Sequence, residues 1–428
     1  MYKLLFLVLA TIHLCSSSRV LELSDRFLEI KKEGHWLIMF YAPWCAHCKR
    51  LEPVWALVAQ SLYNTNIRVG KIDCIKYPLI STQFSINGFP TIMFLKGDEK
   101  EFVFHGERTK EEIVHFALRL NGPPVQQITR HESIDTLKAS HKIFFVYVGK
   151  FEGSLWETYY DVAERFQPFS FFYATAPEIA RKHVTLKEIP TVFVYKENSH
   201  YIFEVDKGMY NDRMNLNVSL SEWVNAERFG TFVKITRGNI HQYRQTNKNL
   251  VLAVVAENKL EEVPEEMAIF RDMIKSVIVN HRDQFHRWFQ FGWIGSPELA
   301  NSIAMTELPL PYLIVVNSTT NHHHIPDDEP KVLNVENVKL FLDSIRNESA
   351  PCYGGNSLPI RLYRTYFEAR ASLAEMWKGN PVLTAVLFGL PLGFLSLICY
   401  SICCADILDA DEEEEEPLLN EFSHEKKE

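Results

Sequence analysis

The chain is poor in cysteine where a stapled fold would need it. Of eight cysteines in 428 residues, Cys15 lies in an N-terminal apolar leader, and Cys399, Cys403 and Cys404 lie in or beside a C-terminal apolar run. Only Cys45, Cys48, Cys74 and Cys352 are left for the body, too few for a disulfide-stapled scaffold. There is no second Cys-x-x-Cys to complete a four-ligand zinc site with Cys45 and Cys48, so no metal is expected. An excess of one charge is also missing. Asp406 to Glu428 carries 11 acids and 2 bases, which leaves 43 of each sign elsewhere. The formal charge of −9 therefore belongs to the tail, and nothing offers the basic footprint of a nucleic-acid binder. What remains is a charge-balanced body, long enough for about three domains of ~100–150 residues.

Within that body the informative stretch is Trp44-Cys45-Ala46-His47-Cys48. An apolar run, Trp36 to Ala42, precedes it and a helix-like run begins near Cys45. A helix start leaves N–H groups unpaired and carries partial positive charge, which favours thiolate over thiol at Cys45. His47 can add positive charge on protonation. A low-pKa thiolate attacks disulfides and also leaves readily from a mixed disulfide. Cys48, three residues on, is close enough to close a disulfide with Cys45.

Met1 to Ser18 reads as a secretory signal: Lys3, then the apolar Leu4 to Ile12, then a small-residue exit. Pro381 to Ala405 is an uncharged apolar run long enough to span a bilayer. The signal puts the body in the lumen and residues 406–428 in the cytosol, and sequons at Asn217, Asn317 and Asn347 agree with that orientation. The charges flanking the span run against positive-inside bias, and the signal is given precedence. Cys403 and Cys404 are palmitoylation candidates. Of a dilysine retrieval signal, only Lys426 is in place.

In chain order the body alternates strand and helix. Strands are expected at Val20–Leu23, Trp36–Ala42, Ile67–Asp73, Thr91–Leu95 and Glu101–His105, with a closing helix at Thr109–Leu120. A proline opening a helix, followed by a proline just before a strand, recurs as Pro78/Pro90, Pro177/Pro190 and Pro297/Pro311. This points to three tandem copies of one α/β fold, thioredoxin-like, with a mixed central sheet flanked by helices. The expected boundaries are 19–122, 123–228 and 229–350, then a juxtamembrane segment 351–380 and a transmembrane helix 381–405. Phe144–Val148 and Val251–Val255 hold the central-strand position of the second and third copies, and no cysteine follows either. Those copies cannot exchange disulfides.

Phe40-Tyr41-Ala42-Pro43-Trp44-Cys45-Ala46-His47-Cys48-Lys49 resembles the active-site signature of the protein disulfide isomerase family, with Ala46 for the usual glycine. The resemblance implies a thiol–disulfide oxidoreductase of the endoplasmic reticulum with Cys45 as nucleophile and Cys48 as resolving cysteine. It also implies a cis-proline at Pro90 facing the site, an arginine at Arg119 that stabilises the Cys48 thiolate, and a lysine beneath the site at Lys71. No cofactor is implied. The partners would be unfolded or disulfide-bonded luminal clients and a redox partner that the sequence leaves open. One departure stands out: Met39 occupies the place of the family's buried acid, the proton acceptor for the second cysteine. Slow resolution at Cys48 is therefore expected, Lys71 should lose its usual partner, and a client-binding scaffold with weak redox turnover is the alternative function.

Elsewhere, Cys74 reads as a core thiol, Cys352 as unpaired, and His322-His323-His324 as a polar loop. Phe285, Trp288, Phe289, Phe291 and Trp293 read as core of the third copy. Tyr353–Lys378 reads as a helix on the membrane surface or a plain spacer.

Overall fold

The computed structural model describes residues 19–97, 100–204, 208, 212–258, 260–330 and 332–412, and the side chains of 403–412 are not part of that description. The leader, the tail from residue 413 and the side chains of Cys403 and Cys404 thus lie outside the described residues.

The first sheet is built around β2 (His35–Tyr41). Alternate residues of β2 feed two cores: Leu37 and Met39 join Leu51, Trp55, Ile113 and Phe116 on one face, while Trp36, Ile38 and Phe40 join Ile72, Phe84 and Met93 on the other. A strand buried on both faces must be apolar without interruption, and the buried stretch Trp36–Phe40 is. It pairs in parallel with β3 (Ile67–Asp73) and antiparallel with β4 (Thr91–Lys96). With β1 (Leu21–Leu23) and β5 (Lys100–Val103) at the edges, the order is β1-β3-β2-β4-β5. Helices α1 (Phe27–Ile30), α2 (Ala46–Leu62), α3 (Pro78–Gln83) and α4 (Lys110–Asn121) intervene. Pro53 lies inside α2, which continues through it.

The second sheet repeats the plan. It contains β6 (Gln126–Ile128), β7 (Ile143–Val148), β8 (Phe172–Thr175), β9 (Thr191–Lys196) and β10 (Ser199–Ile202) in the order β10-β9-β7-β8-β6. Its helices are α5 (Glu132–Ser140), α6 (Ser154–Phe166), α7 (Pro177–Ala180) and α8 (Arg213–Glu227). The third sheet has β11 (Phe232–Lys234), β12 (Asn249–Val254), β13 (Phe289–Ile294), β14 (Tyr312–Asn317), β15 (His322–His324) and β16 (Tyr353–Gly354) in the order β11-β13-β12-β14-β15-β16. Helices α9 (Ile240–Arg244), α10 (Glu265–Asn280), α11 (Arg282–Phe285), α12 (Pro297–Ala304) and α13 (Val335–Arg346) belong to the third domain. The Phe89–Pro90, Ile189–Pro190 and Leu310–Pro311 peptides, each just ahead of β4, β9 or β14, are all cis.

The C-terminal unit contains α14 (Leu358–Gly379), with no buried residue, and α15 (Pro381–Glu412). Within α15, Pro381–Ile402 has a mean hydropathy of 2.3 and is long and apolar enough to cross a membrane.

Two local readings change. His322–His324 is a short strand paired with Val315 and Val316, and His323 is buried, because the polar run lies between β14 and β16 with the Tyr353 ring beside it. Trp288 is 47 % exposed, unlike Phe285, Phe289 and Phe291, because it precedes β13 and lies outside the sheet's alternation.

A buried ion cluster joins the second and third domains. Glu227, 4 % exposed, accepts from Lys196 (3.1 Å), Arg282 (2.7 Å) and His286 (2.6 Å). Lys248 donates to the His286 carbonyl. Burial alone would raise the Glu227 carboxyl, but His286, Lys196 and Arg282 outweigh it and hold the group well below the usual carboxylate range. Burial pushes His286 down to about 4. Both shifts have the same sign: each supplies stability at neutral pH that is lost on acidification, His286 below its unfolded ~6.5 and Glu227 below its unfolded ~4.3. Glu227→Gln should cost about 3–5 kcal/mol at neutral pH, since it strands buried cations. Thermal melts from about pH 7 to pH 3 should fall steeply for wild type and more shallowly for the variant.

Candidate active site

β2 ends at Tyr41, and the chain turns through Ala42–Trp44 into α2. Cys45 is the N-cap of that helix and takes the place of the usual Ser, Thr or Asp acceptor: its Sγ accepts from the Cys48 N–H at 3.3 Å. The Cys45 thiol lies 3.6 Å from the Phe89 carbonyl, in position to donate to it, beside Pro90. Cys45 is 6 % exposed and Cys48 2 %; they share a small cluster with Ala42, against which Tyr41 and Phe89 pack. Trp44 is exposed and meets the Phe89 ring edge-on at 6.2 Å.

Local electrostatics split the two thiols. The hydrogen bond from the Cys48 thiol, the N–H groups of Cys48 and His47, and the Arg108 guanidinium all lower Cys45, and together they outweigh its own desolvation. Burial and the thiol–thiol hydrogen bond push Cys48 up to about 11, against relief from the Ala42 N–H and Arg108. Cys45 is therefore the more acidic of the two thiols, and Cys48 holds its proton at neutral pH.

The remaining predicted residues are placed as follows. His47 acts on Cys45 through its backbone N–H, while its ring is turned away, with Nδ1 accepting from Arg50 at 2.9 Å. Arg119 is not brought to the cysteines. Its Nε donates to the Pro168 carbonyl at 3.0 Å, its guanidinium lies over the Phe171 ring, and burial pushes it down to about 10. It is a seam residue between the first and second domains. The arginine at the site is Arg108, which donates to the Pro90 carbonyl at 3.0 Å. Nothing in the sequence pattern marks Arg108 beyond its place just ahead of Thr109, the N-cap of α4.

Lys71 does not lack partners. Glu22 lies 3.0 Å and Glu52 3.2 Å away, and these carboxylates outweigh burial to hold it above its ordinary value. Met39 is fully buried in the apolar core under α2. It is the register partner of Lys71 on β3, so the two side chains leave the sheet on the same face. Cys74 is buried, and its thiol is pushed up to about 11 by that burial. Among the described residues no cluster of three or more His, Cys, Asp or Glu side chains could hold a metal ion.

In the second domain the place of the cysteine pair, at Gly153 and Ser154 where α6 begins, opens beside Ile189 and Pro190 into a surface pocket and carries no thiol. A Cβ at Gly149 would stand 2.9 Å from the Cβ of Pro190, so the strand end packs directly onto the proline.

The pattern of the Thioredoxin family matches residues 21–119, and that of a Thioredoxin-like domain matches residues 148–344. The fold and the capped Cys-x-x-Cys thus define a thioredoxin-class protein with one reactive domain. Protein disulfide-isomerase TMX3 of Xenopus laevis is 37 % identical over 400 residues, covering 93 % of this chain and 85 % of that protein. Protein disulfide-isomerase TMX3 of Homo sapiens is 34 % identical over 387 residues, covering 90 % of this chain and 82 % of that protein. Among solved structures, the zinc-bound form of human ERp44 aligns at 14 % identity over 77 % of this chain and 92 % of that chain, with a TM-score of 0.35. The chain belongs to the protein disulfide-isomerase family, alongside the TMX3 proteins, and is a thiol–disulfide oxidoreductase of that family.

The split between the thiols has a direct readout. Alkylation of the reduced protein should modify Cys45 first, with a midpoint below the ~8.5 of a free cysteine. Cys48 should stay unmodified until the pH approaches about 11. Mass spectrometry of the alkylated peptide across pH checks both.

Proposed function

We propose that this chain is a single-pass protein disulfide isomerase of the endoplasmic-reticulum membrane, which forms or rearranges disulfides in luminal client proteins. The observation that carries the reading is the capped, low-pKa Cys45 above a buried, protonated Cys48, beside Pro90. The names of the relatives, the apolar helix Pro381–Ile402 and the leader at Met1–Ser18 support the setting.

The chemistry follows from the geometry. The Cys45 thiolate attacks a client disulfide, forming a Cys45–client mixed disulfide and releasing one client thiolate. Cys48 loses its proton and attacks Cys45 Sγ, releasing the second client sulfur. The client gains two electrons and the protein is left with a Cys45–Cys48 disulfide. The reverse sequence oxidises a client dithiol, and attack by a released client thiolate on the mixed disulfide rearranges the pairing. Pro90 and the exposed Trp44 flank the approach of the client. His47 and Arg119 act as supports, the first through its backbone and the second through the domain seam.

Met39 favours a second emphasis, retention of clients. A thioether cannot accept the Cys48 proton, so mixed disulfides should persist.

Refolding of a reduced and of a scrambled substrate by the full chain in detergent tests the reading. Turnover that disappears in Cys45→Ser supports the isomerase; aggregation suppression equal in both proteins, without disulfide turnover, overturns it. Met39→Glu places a carboxylate beside Lys71 and should raise turnover at neutral pH several-fold, at a stability cost of about 1–3 kcal/mol for the buried polar group. An unchanged rate would exclude proton acceptance as the limiting step.

Orientation has its own test. Of the three sequons, Asn347 is exposed at the end of α13, whereas Asn217 already accepts from Arg165 and Ser221, and Asn317 from the N–H groups of Thr319 and Thr320. In sealed microsomes, a glycosidase-sensitive shift should disappear in Asn347→Gln. Digestion of the body by added protease would overturn the luminal assignment.

A further inference from the structure

The loop between β5 and α4 carries Arg108 to the site, and it is fastened from three sides. At its start the Phe104 N–H bonds the Ile92 carbonyl at 2.9 Å. At Gly106 the backbone lies close over the Phe104 ring; a Cβ there would come within 2.7 Å of it. At its end Thr109 caps α4 by accepting from the Glu112 N–H. Its middle is held by another domain. Glu107 Oε1 accepts from Thr236 Oγ1 at 2.7 Å and from Asn239 Nδ2 at 3.3 Å, and Gln242 Nε2 donates to the His105 carbonyl at 2.9 Å.

The clamp is itself preformed. Asn239 Oδ1 accepts from the Thr236 N–H at 2.9 Å, and its Nδ2 also donates to the Lys234 carbonyl at 3.0 Å. One turn of the third domain therefore presents both donors to Glu107 together. Arg108 follows Glu107 directly and spends its own hydrogen bond on the Pro90 carbonyl, one residue from the carbonyl that faces Cys45.

We propose that the redox-silent third domain tunes the thiol chemistry of the first, with Thr236, Asn239 and Gln242 acting as positioning residues that fix the His105–Glu107 segment and so hold Arg108 beside the cysteine pair. The third domain lacks cysteines at the active-site position, yet through this loop it reaches a cationic side chain that favours the thiolate of both Cys45 and Cys48. A contact that only docked two domains could land anywhere on the first domain's surface. These bonds land on the two residues two and four places ahead of the Thr109 cap, with Arg108 between the clamp and the cap. The ionisable groups that face the seam are Glu107, His105, His241, Lys234, Glu112 and Tyr243. Burial and the neighbouring His241 hold the His105 imidazole below its ordinary value.

The inference rests on Cys45 being the attacking thiol. The test is the pH profile of Cys45 alkylation in the reduced full chain in detergent. Glu107→Ala, the double variant Thr236→Val with Gln242→Leu, and Arg108→Gln should each shift the profile to higher pH and slow alkylation at neutral pH by about threefold, the scale of one exposed charge. On the Arg108→Gln background the clamp variants should add nothing, because they act through that side chain. Thr236→Ser, which keeps the donor, should retain the wild-type profile. A merely structural seam would lower the melting temperature and leave the profile in place; that result, or additivity with Arg108→Gln, overturns the proposal. An unreactive Cys45 in wild type would instead sink the reading of the nucleophile, so the two failures are distinguishable.

Discussion

Two sulfurs at one helix terminus cannot have the same chemistry, and the rest of the molecule depends on that inequality. The N-cap position meets the free N–H groups and the positive end of the helix, while the third helical position is turned into the core. Cys45 takes the first environment and Cys48 the second. The separation of their acidities is thus a property of backbone geometry, which any sequence with cysteines at these positions on a capped helix would inherit. It makes the first attack easy. It also makes the second step depend on whatever can remove a proton from a thiol held near 11.

That dependence gives the surroundings of Cys48 their importance. Its relief comes from the Ala42 N–H and from Arg108. The core side chain beneath α2 at the register position opposite Lys71 is a methionine, so that position offers the cysteines no carboxylate. The carboxylates near Lys71, Glu22 and Glu52, serve the lysine instead. Where a buried acid is missing, electrostatic support from an arginine on a loop becomes the larger lever on the resolving step. A loop arginine is only as useful as its position is reproducible. Fastening that loop by a second folded unit is a physical way to obtain reproducibility, and it gives a domain without thiols a stake in the reaction.

The large features were legible in the sequence because they rest on local rules. Uninterrupted apolar strands, prolines opening helices and a cysteine pair at a strand-to-helix turn are short-range signals, and three sheets of one plan follow from them. The leader and the tail are read from composition alone. What could not be read was anything decided by a partner distant in the chain. Arg119 carries the right side chain near the right helix end, but the Pro168 carbonyl and the Phe171 ring claim it. Arg108, with no motif around it, is selected by a loop held 129 residues away in sequence. His323 follows the same logic: three histidines read as a polar loop until pairing with Val315 and Val316 makes them a strand of the third sheet.

The two silent domains need not be explained by the same cause. In the second, the strand end at Gly149 packs onto Pro190, and the start of α6 carries Gly153 and Ser154 where the first domain has its thiols. In the third, the divergence has gone toward contact with its neighbours: Arg282 and His286 complete the buried cluster around Glu227 of the second domain, and Thr236 and Asn239 grip Glu107 of the first. A buried cluster of this kind adds little net stability over an apolar substitute, but it penalises any arrangement that leaves one of its charges unmatched. It therefore acts as a geometric lock between the second and third domains. A third domain locked on one side has fewer ways to shift on the other. The same rigidity that aligns it with the second domain is what allows three hydrogen bonds to hold a catalytic loop on the first.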